Sequence, residues 1–347
     1  MTTENGKQRN GKKTIALALQ GGGMHGAFAW GVLDRLLEDD RLEIEGVSAT
    51  SAGAMNAAVL AYGLRKGDSE NARQALHDFW RAVARSAESY NPFGKMPWLK
   101  GTHTLGLGHS PIHLLADIIL RILSPYQFNP HNVNPLRTIL EQHVDFAALR
   151  SHCPIHLYLC ATNVETGKIH IFSGQDICIE AVLASACLPT LFQAVEINGE
   201  HYWDGGYAGN PAIFPLVYNC TTHDVVIVHI NPIVRPGVPI KAADILNRIN
   251  EVSFNSSLMR EMRAIAFVTT LIRQRKVGRD DMKEMLIHSI RSDQTMAALG
   301  VASKYNADWH FLCSLRDKGR TEAGAWLEEN YHHIGQRSSV DIRKEFL

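Results

Sequence analysis

Residues 14–33 read TIALALQGGGMHGAFAWGVL, and the fold is decided by the change of period halfway through that stretch. Its first seven residues form an apolar run ended by three glycines. The run is far shorter than the ~20 apolar residues a membrane span needs, and no small-residue cleavage site follows it. It predicts a strand over 14–20, buried on both faces. Beyond Gly21-Gly22-Gly23-Met24-His25-Gly26, the residues Trp30, Val32, Leu33, Leu36 and Leu37 recur at helical spacing. The same unit follows at once: residues Ile44 to Ala49 predict a second strand, and Ser51 to Tyr62 an Ala-rich helix. Two strand–turn–helix units in succession predict an α/β fold with a mainly parallel central sheet and helices on both faces.

Working outward, IHLYLCATNV (155–164), IHIFS (169–173) and DVVIVHI (224–230) read as further strands, and 178–187 as a buried helix ended by Pro189. VEINGEHYWDGG (195–206) carries Asn198-Gly199, a strong hairpin signal. The pattern breaks over about 90–135, where Pro92, Pro97, Pro111, Pro125, Pro130 and Pro135 surround an apolar helix, IHLLADIILRIL (112–123). A long irregular insertion of this kind is either a cover for an active site or a plain packed excursion. The first 13 residues, polar and basic, read as a disordered arm, and the chain from 236 to 347 as a mostly helical C-terminal extension.

Composition narrows the function. The chain has 347 residues, 45% of them hydrophobic and 20% charged, as in an ordinary globular protein. Lys plus Arg equals Asp plus Glu at 35 each, which argues against a general nucleic-acid binder. The six cysteines form no C-x-x-C pair, so neither zinc nor redox spacing is present. No metal or other cofactor is expected, and the cysteines read as buried free thiols of a reducing, cytoplasmic compartment.

Three pieces carry chemistry. GGGMHG (21–26) has the G-x-G-x-x-G spacing that lets backbone N–H groups approach an anion at a helix N-terminus, either a pyrophosphate or a developing oxyanion. Ala49-Thr50-Ser51-Ala52-Gly53 has the form of a nucleophile elbow with alanine at the first position; small neighbours let the serine sit on a sharp turn with its Oγ exposed. The plain alternative is a serine N-cap on an Ala-rich helix. Asp204-Gly205-Gly206 closes the hairpin, and alone is an ordinary Asp-Gly turn.

Together, in this order, GGGMHG, ATSAG and DGG resemble the patatin-like phospholipase family, and so do the flanking SAGAMNAA and LASACLPTLFQ. The resemblance covers about residues 13–235, which it marks as a catalytic domain of 14–235 interrupted by the insertion; the tail looks like that of a bacterial subgroup with a C-terminal extension. It implies a serine acyl hydrolase acting on lipid carboxylic esters by a Ser–Asp dyad. Ser51 would be the nucleophile, Asp204 the general base, and the amides of Gly21, Gly22 and Gly23 the oxyanion hole, with Gly26, Ala49, Gly53, Gly205 and Gly206 supporting the motifs. Two departures stand out: Ala49 replaces the usual glycine of the elbow, and His25 replaces the usual Arg or Lys of the glycine loop.

Three other readings stay open at this level. A Ser–His–Asp triad could draw on His201, His223 or His229. A dinucleotide-binding oxidoreductase could use Glu43 or Glu45 for a ribose. A non-catalytic lipid-binding protein could keep the fold alone. Residues 254–279, FNSSLMREMRAIAFVTTLIRQRKVGR, place Phe254, Leu258, Met262, Ile265, Val268, Leu271 and Ile272 at helical spacing among Arg260, Arg263, Arg273, Arg275, Lys276 and Arg279. This stripe either lies peripherally on an anionic membrane or packs on the core or on a second copy of the chain.

Overall fold

The structure, a computed structural model, describes residues 11–90, 123–278 and 282–347. Most of the 90–135 insertion, including the proposed cover, lies outside the described residues. The first unit follows the expected order: β1 (Lys13–Leu19), a short 3-10 turn (Gly23–His25), α1 (Gly26–Asp39), β2 (Leu42–Ala49), α2 (Ala52–Lys66) and α3 (Ser69–Tyr90). Lys13, assigned to the arm from sequence, already belongs to β1, and its Nζ donates to the carbonyls of Tyr331 and Ile334 at 2.9 and 3.0 Å.

The short helices α4 (Pro125–Phe128), α5 (Pro135–His143) and α6 (Phe146–Ser151) lead to β3 (His156–Asn163) and β4 (Ile169–Ser173). Then come α7 (Ile179–Ser185), the hairpin β5 (Val195–Ile197) and β6 (Glu200–Asp204), α8 (Phe214–Asn219) and β7 (Asp224–Val228). The hairpin turns at Asn198-Gly199, both at positive φ. The C-terminal segment supplies α9 (Ala242–Arg273), β8 (Leu286–Ile290), α10 (Asp293–Ala298), α11 (Trp309–Asn330) and α12 (Ile342–Phe346).

The eight strands form one sheet, ordered β5-β6-β3-β2-β1-β7-β8 with β4 also paired to β3. The β8-β7-β1-β2-β3 run is parallel, and β4, β5 and β6 join antiparallel. Alternation along β1 feeds two cores. Leu17 and Leu19 enter the larger one beneath α1, α2, α3 and α11, while Ala16 and Ala18 enter the smaller one beneath α8, α9 and α12.

The C-terminal segment is therefore part of the core. It is mostly helical as expected, yet LIHSI (286–290) adds a parallel strand beside β7. Helix α11 crosses α1 at backbone contact: a Cβ on Gly31 would collide with the Arg316 carbonyl, and one on Gly319 with that of Phe28. Part of the apolar stripe of 254–272 is buried too. Leu258 and Met262 are fully covered and Ile272 nearly so, and Arg273 pairs with Glu284 at 3.0 Å. This part of the apolar face packs on the sheet and closes the smaller core, while Phe254, Ile265, Val268 and Leu271 are half-buried. Among the described residues no helix is long and apolar enough to cross a membrane.

The α1–α11 crossing gives a first test. Gly319→Leu should destabilise the protein by about 1–3 kcal/mol or more, read as a lower denaturant midpoint. An unchanged midpoint would mean that α11 is not docked on α1.

Candidate active site

Ser51 occupies the joint between β2 and α2, with φ 56° and ψ −122°. A residue with a side chain keeps such a backbone only when its surroundings dictate it. Its N–H donates to Ser185 Oγ at 2.9 Å and its carbonyl accepts from Met55 N–H at 3.1 Å. Thr50 is tied on both sides, its N–H to the Leu19 carbonyl and its Oγ1 to the Gly209 carbonyl at 2.7 Å. Gly53 lets the start of α2 touch the Leu19 carbonyl, and a Cβ on Gly21 would lie 2.6 Å from Ser51 Cβ. Ala49 stays in β2 and outside the positive-φ residues, so alanine fits the elbow without strain.

Strand register brings Asp204 to this joint. β2 pairs with β3 as far as Ala49 opposite Leu159, and β6 pairs with β3 from Ala161 opposite Asp204. β4 pairs with β3 over Tyr158–Thr162 and overlaps both, so it holds the opposite edge, and β2 and β6 share the remaining edge in succession. Asp204 thus arrives where β2 would have continued, beside Ser51. A Cβ on Gly205 would meet the Cys160 carbonyl.

The Asp204 carboxyl is fully buried. Oδ1 accepts from Gly206 N–H at 2.7 Å, and Oδ2 has no hydrogen-bond partner among the described residues. Burial pushes its pKa up to about 7, against the pull of the Gly206 amide and of the Ser51 hydroxyl. That hydroxyl is near enough to act on the carboxyl without completing a hydrogen bond of full geometry. Among the described residues no histidine bonds Ser51 or Asp204: His223 bonds the Glu284 carbonyl, and His229 bonds Ser289 and is driven to about 3 by burial. His201 lies three residues before Asp204 in β6 and so points to the other side of the strand.

The glycine loop is held by polar side chains that the sequence reading missed. Gln20 Oε1 accepts from the N–H groups of Ile230 and Asn231, both at 2.9 Å, and Gln20 Nε2 donates to Asn255 Oδ1 at 3.1 Å. Asn231 Nδ2 donates to the Gly21 carbonyl at 2.7 Å, and Asn210 N–H donates to Ser257 Oγ at 3.1 Å. All five side chains are buried, and Asn255 and Ser257 belong to α9. Ser185 and Asn210 sit in or beside quoted motifs, whereas Asn255 and Ser257 carry no signal in the sequence.

Of the three glycines expected to hold an oxyanion, Gly21 has its N–H already paired, donating to Asn210 Oδ1 at 2.7 Å, and its missing side chain leaves room for Ser51. The amides of Gly22 and Gly23 take no acceptor among the described residues. Gly23, at φ 62°, packs against the Lys304 carbonyl. Gly26 sets α1 against Ala52 of α2, and its carbonyl accepts from Asn56 Nδ2 at 2.9 Å.

His25 is buried, and desolvation together with Lys304 lowers its pKa to about 4. Its Nε2 lies 2.7 Å from Ser303 Oγ, whose own proton goes to the Gly300 carbonyl at 2.6 Å, so the neutral imidazole is the donor. It contributes no charge near neutral pH. Glu43 and Glu45, the candidate ribose acids, lie in β2, and Glu45 accepts from the Thr221 and Thr222 amides at the end of the strand away from the glycine loop. Among the described residues no three His, Cys, Asp or Glu side chains converge as metal ligands would.

Comparison with known proteins matches residues 17–217 to the model of one family, described as patatin-like phospholipase. Several solved structures match, among them two at low identity. VipD from Legionella pneumophila is 16% identical, with 93% of this chain and 75% of that one covered at a TM-score of 0.35. The complex of SpcU with ExoU from the type III secretion system of Pseudomonas aeruginosa is 14% identical, with 92% and 53% covered at 0.33, so the chain spans about half of that length. No curated protein sequence matches.

The buried carboxyl makes a prediction about stability. Below pH ~4 Asp204 is protonated both folded and unfolded and costs nothing. Between ~4 and 7 only the unfolded chain ionises, so folding stability falls as pH rises, and above 7 the full penalty is present. At about 1.4 kcal/mol per tenfold, Asp204→Asn should be more stable than the native chain at pH 8, by roughly 4 kcal/mol at most. That gain should vanish near pH 4 in denaturant titrations. A gain of equal size at both pH values would contradict the burial described here.

Proposed function

The chain belongs to the patatin-like phospholipase family, and from that premise we propose that it is a serine lipid acyl hydrolase in which Ser51 and Asp204 act as a catalytic dyad. The observation that carries this reading is a serine on a strained strand–helix joint beside a fully buried carboxyl, next to a glycine loop whose Gly22 and Gly23 amides take no acceptor among the described residues.

In the acylation step Ser51 Oγ bonds to the ester carbonyl carbon while its proton passes to the Asp204 carboxylate. The carbonyl oxygen becomes an oxyanion held by the N–H groups of Gly22 and Gly23, which are in place before the charge develops. Collapse breaks the bond to the leaving alcohol, which takes the proton from Asp204. Water then attacks the acyl-enzyme with Asp204 again as base, the fatty acid departs, and Ser51 recovers its proton. A carboxylate of ordinary pKa is a weak base at neutral pH; one raised to about 7 is matched to the task. Lipid esters fit as substrates because the family is a phospholipase family.

Kinetics on a soluble monomeric ester test the dyad. Ser51→Ala and Asp204→Asn should each lower kcat by at least a thousandfold while the fold survives, and the double variant should be little worse than either. Wild-type kcat/KM should rise with pH to a plateau above about 7, following one ionisation. A Ser51→Ala variant keeping a tenth of wild-type turnover, a loss of about 1.4 kcal/mol, would remove Ser51 as the nucleophile.

A further inference from the structure

A cleft of about 470 Å³ runs between α8 and α9. Its α9 wall includes Ser257, Glu261, Ala264, Ile265 and Val268, which recur every three or four residues and so share one helix face. From Ser257 to Val268 that face is about 16 Å long at the usual helical rise. Phe214 and Val217 of α8 stand on the other wall. Helices α8 and α9 belong to the smaller core, whereas α1, α2 and α7, which surround Ser51, belong to the larger one. The cleft therefore lies across the sheet from the helices of the candidate active site.

Two of the polar groups in the cleft are already engaged. Ser257 Oγ accepts from Asn210 N–H at 3.1 Å, and Glu261 Oε2 from the amides of Ile213 and Phe214 at 2.7 and 2.8 Å. Two cations also line it, Arg260 and Lys283, and among the described residues neither pairs with a carboxylate. Arg260 is exposed and solvated, but Lys283 is half-buried. Its Nζ donates to one carbonyl, that of Cys220, at 2.6 Å, which leaves further N–H donors unfilled. Desolvation holds its pKa below the usual lysine value. A half-buried ammonium without a paired carboxylate is stabilised by an incoming anion.

Helix α8 fixes where that charge sits along the cleft. Glu261 holds the amides at the start of α8, and Lys283 holds the carbonyl of Cys220 just past its end. Lys283 thus marks one end of an elongated apolar wall and Ser257 the other. A charge at one end of a long apolar cleft matches an amphiphile with one chain and one anionic head.

We propose that the α8–α9 cleft binds a free fatty acid, with its carboxylate on Lys283 and its chain between the two helices toward Ser257. The site is separate from Ser51 and Asp204 and stands whether or not those two form a catalytic dyad.

The test is calorimetric titration of the full chain with decanoate, and with decanol as the uncharged chain of the same length, repeated on Lys283→Gln and Ala264→Trp variants. The glutamine still offers an N–H to the Cys220 carbonyl. Ala264 is exposed, so tryptophan there fills the cleft without entering the core. Both variants should keep the native thermal midpoint and the native turnover of a soluble ester. The native chain should bind one decanoate, at least about tenfold more tightly than decanol. Lys283→Gln should bind the two alike, and Ala264→Trp should bind neither. Decanoate binding that both variants leave unchanged would put the ligand elsewhere and overturn the proposal, as would no binding by the native chain. Equal binding of decanoate and decanol by the native chain would also overturn it, by removing Lys283 as the partner of the carboxylate. Should Lys283→Gln fail to fold, Ala264→Trp alone decides: retained decanoate binding contradicts the proposal and lost binding supports it.

Discussion

The site depends on one backbone constraint: Ser51 is held at φ 56°, ψ −122° between a strand and a helix. Left alone, a serine would relax from that conformation at a gain of about 1–3 kcal/mol. The surroundings prevent it from several sides. Ser185 holds the Ser51 amide, Thr50 is bonded to the Leu19 and Gly209 backbones, and Gly21 and Gly53 allow β1 and its loop to come within contact distance. Each of these partners belongs to a different segment. The joint therefore exists only when the sheet, the Asp-Gly-Gly region and α7 are all in place.

A second cost lies beside it. Asp204 is buried with one carboxyl oxygen unpartnered among the described residues, an arrangement that burdens folding at neutral pH and brings the carboxyl near the basicity a proton acceptor needs. The fold tolerates both because the parallel strands and two large cores give it stability elsewhere. The polar clamp around Gln20 transmits that rigidity to the glycine loop by bonding it to the end of β7 and to the middle of α9. The C-terminal segment thereby shapes the site although it supplies neither Ser51 nor Asp204.

Much of this was legible in the sequence. The apolar run before Gly21, the switch to helical spacing after it and the repeat around Ser51 fixed the parallel α/β architecture, because strand and helix periods differ and glycines punctuate them. Asn198-Gly199 marked the hairpin that carries Asp204. What was not legible depends on partners distant in sequence. LIHSI is too short and too mixed to announce β8, and only the free edge of β7 makes it a strand. The stripe from Leu258 to Ile272 shows a buried face but not what buries it. Gly21 reads as an anion-binding glycine until Asn210, 189 residues away, claims its amide. Asn255, Ser257 and Ser303 look like ordinary polar residues on or beside helices, and their roles come from what the fold sets opposite them.

The most direct test of the account is a crystal structure of the protein inactivated by a long-chain alkyl phosphonate ester, whose tetrahedral phosphorus mimics the acylation intermediate. The account predicts phosphorus bonded to Ser51 Oγ, with its non-bridging oxygen about 2.7–3.1 Å from the amides of Gly22 and Gly23. The Gly21 amide should still be on Asn210, and Asp204 within hydrogen-bond reach of the serine oxygen. Phosphorus on any other residue, or an oxygen bound by the Gly21 amide after Asn210 has been displaced, would contradict it.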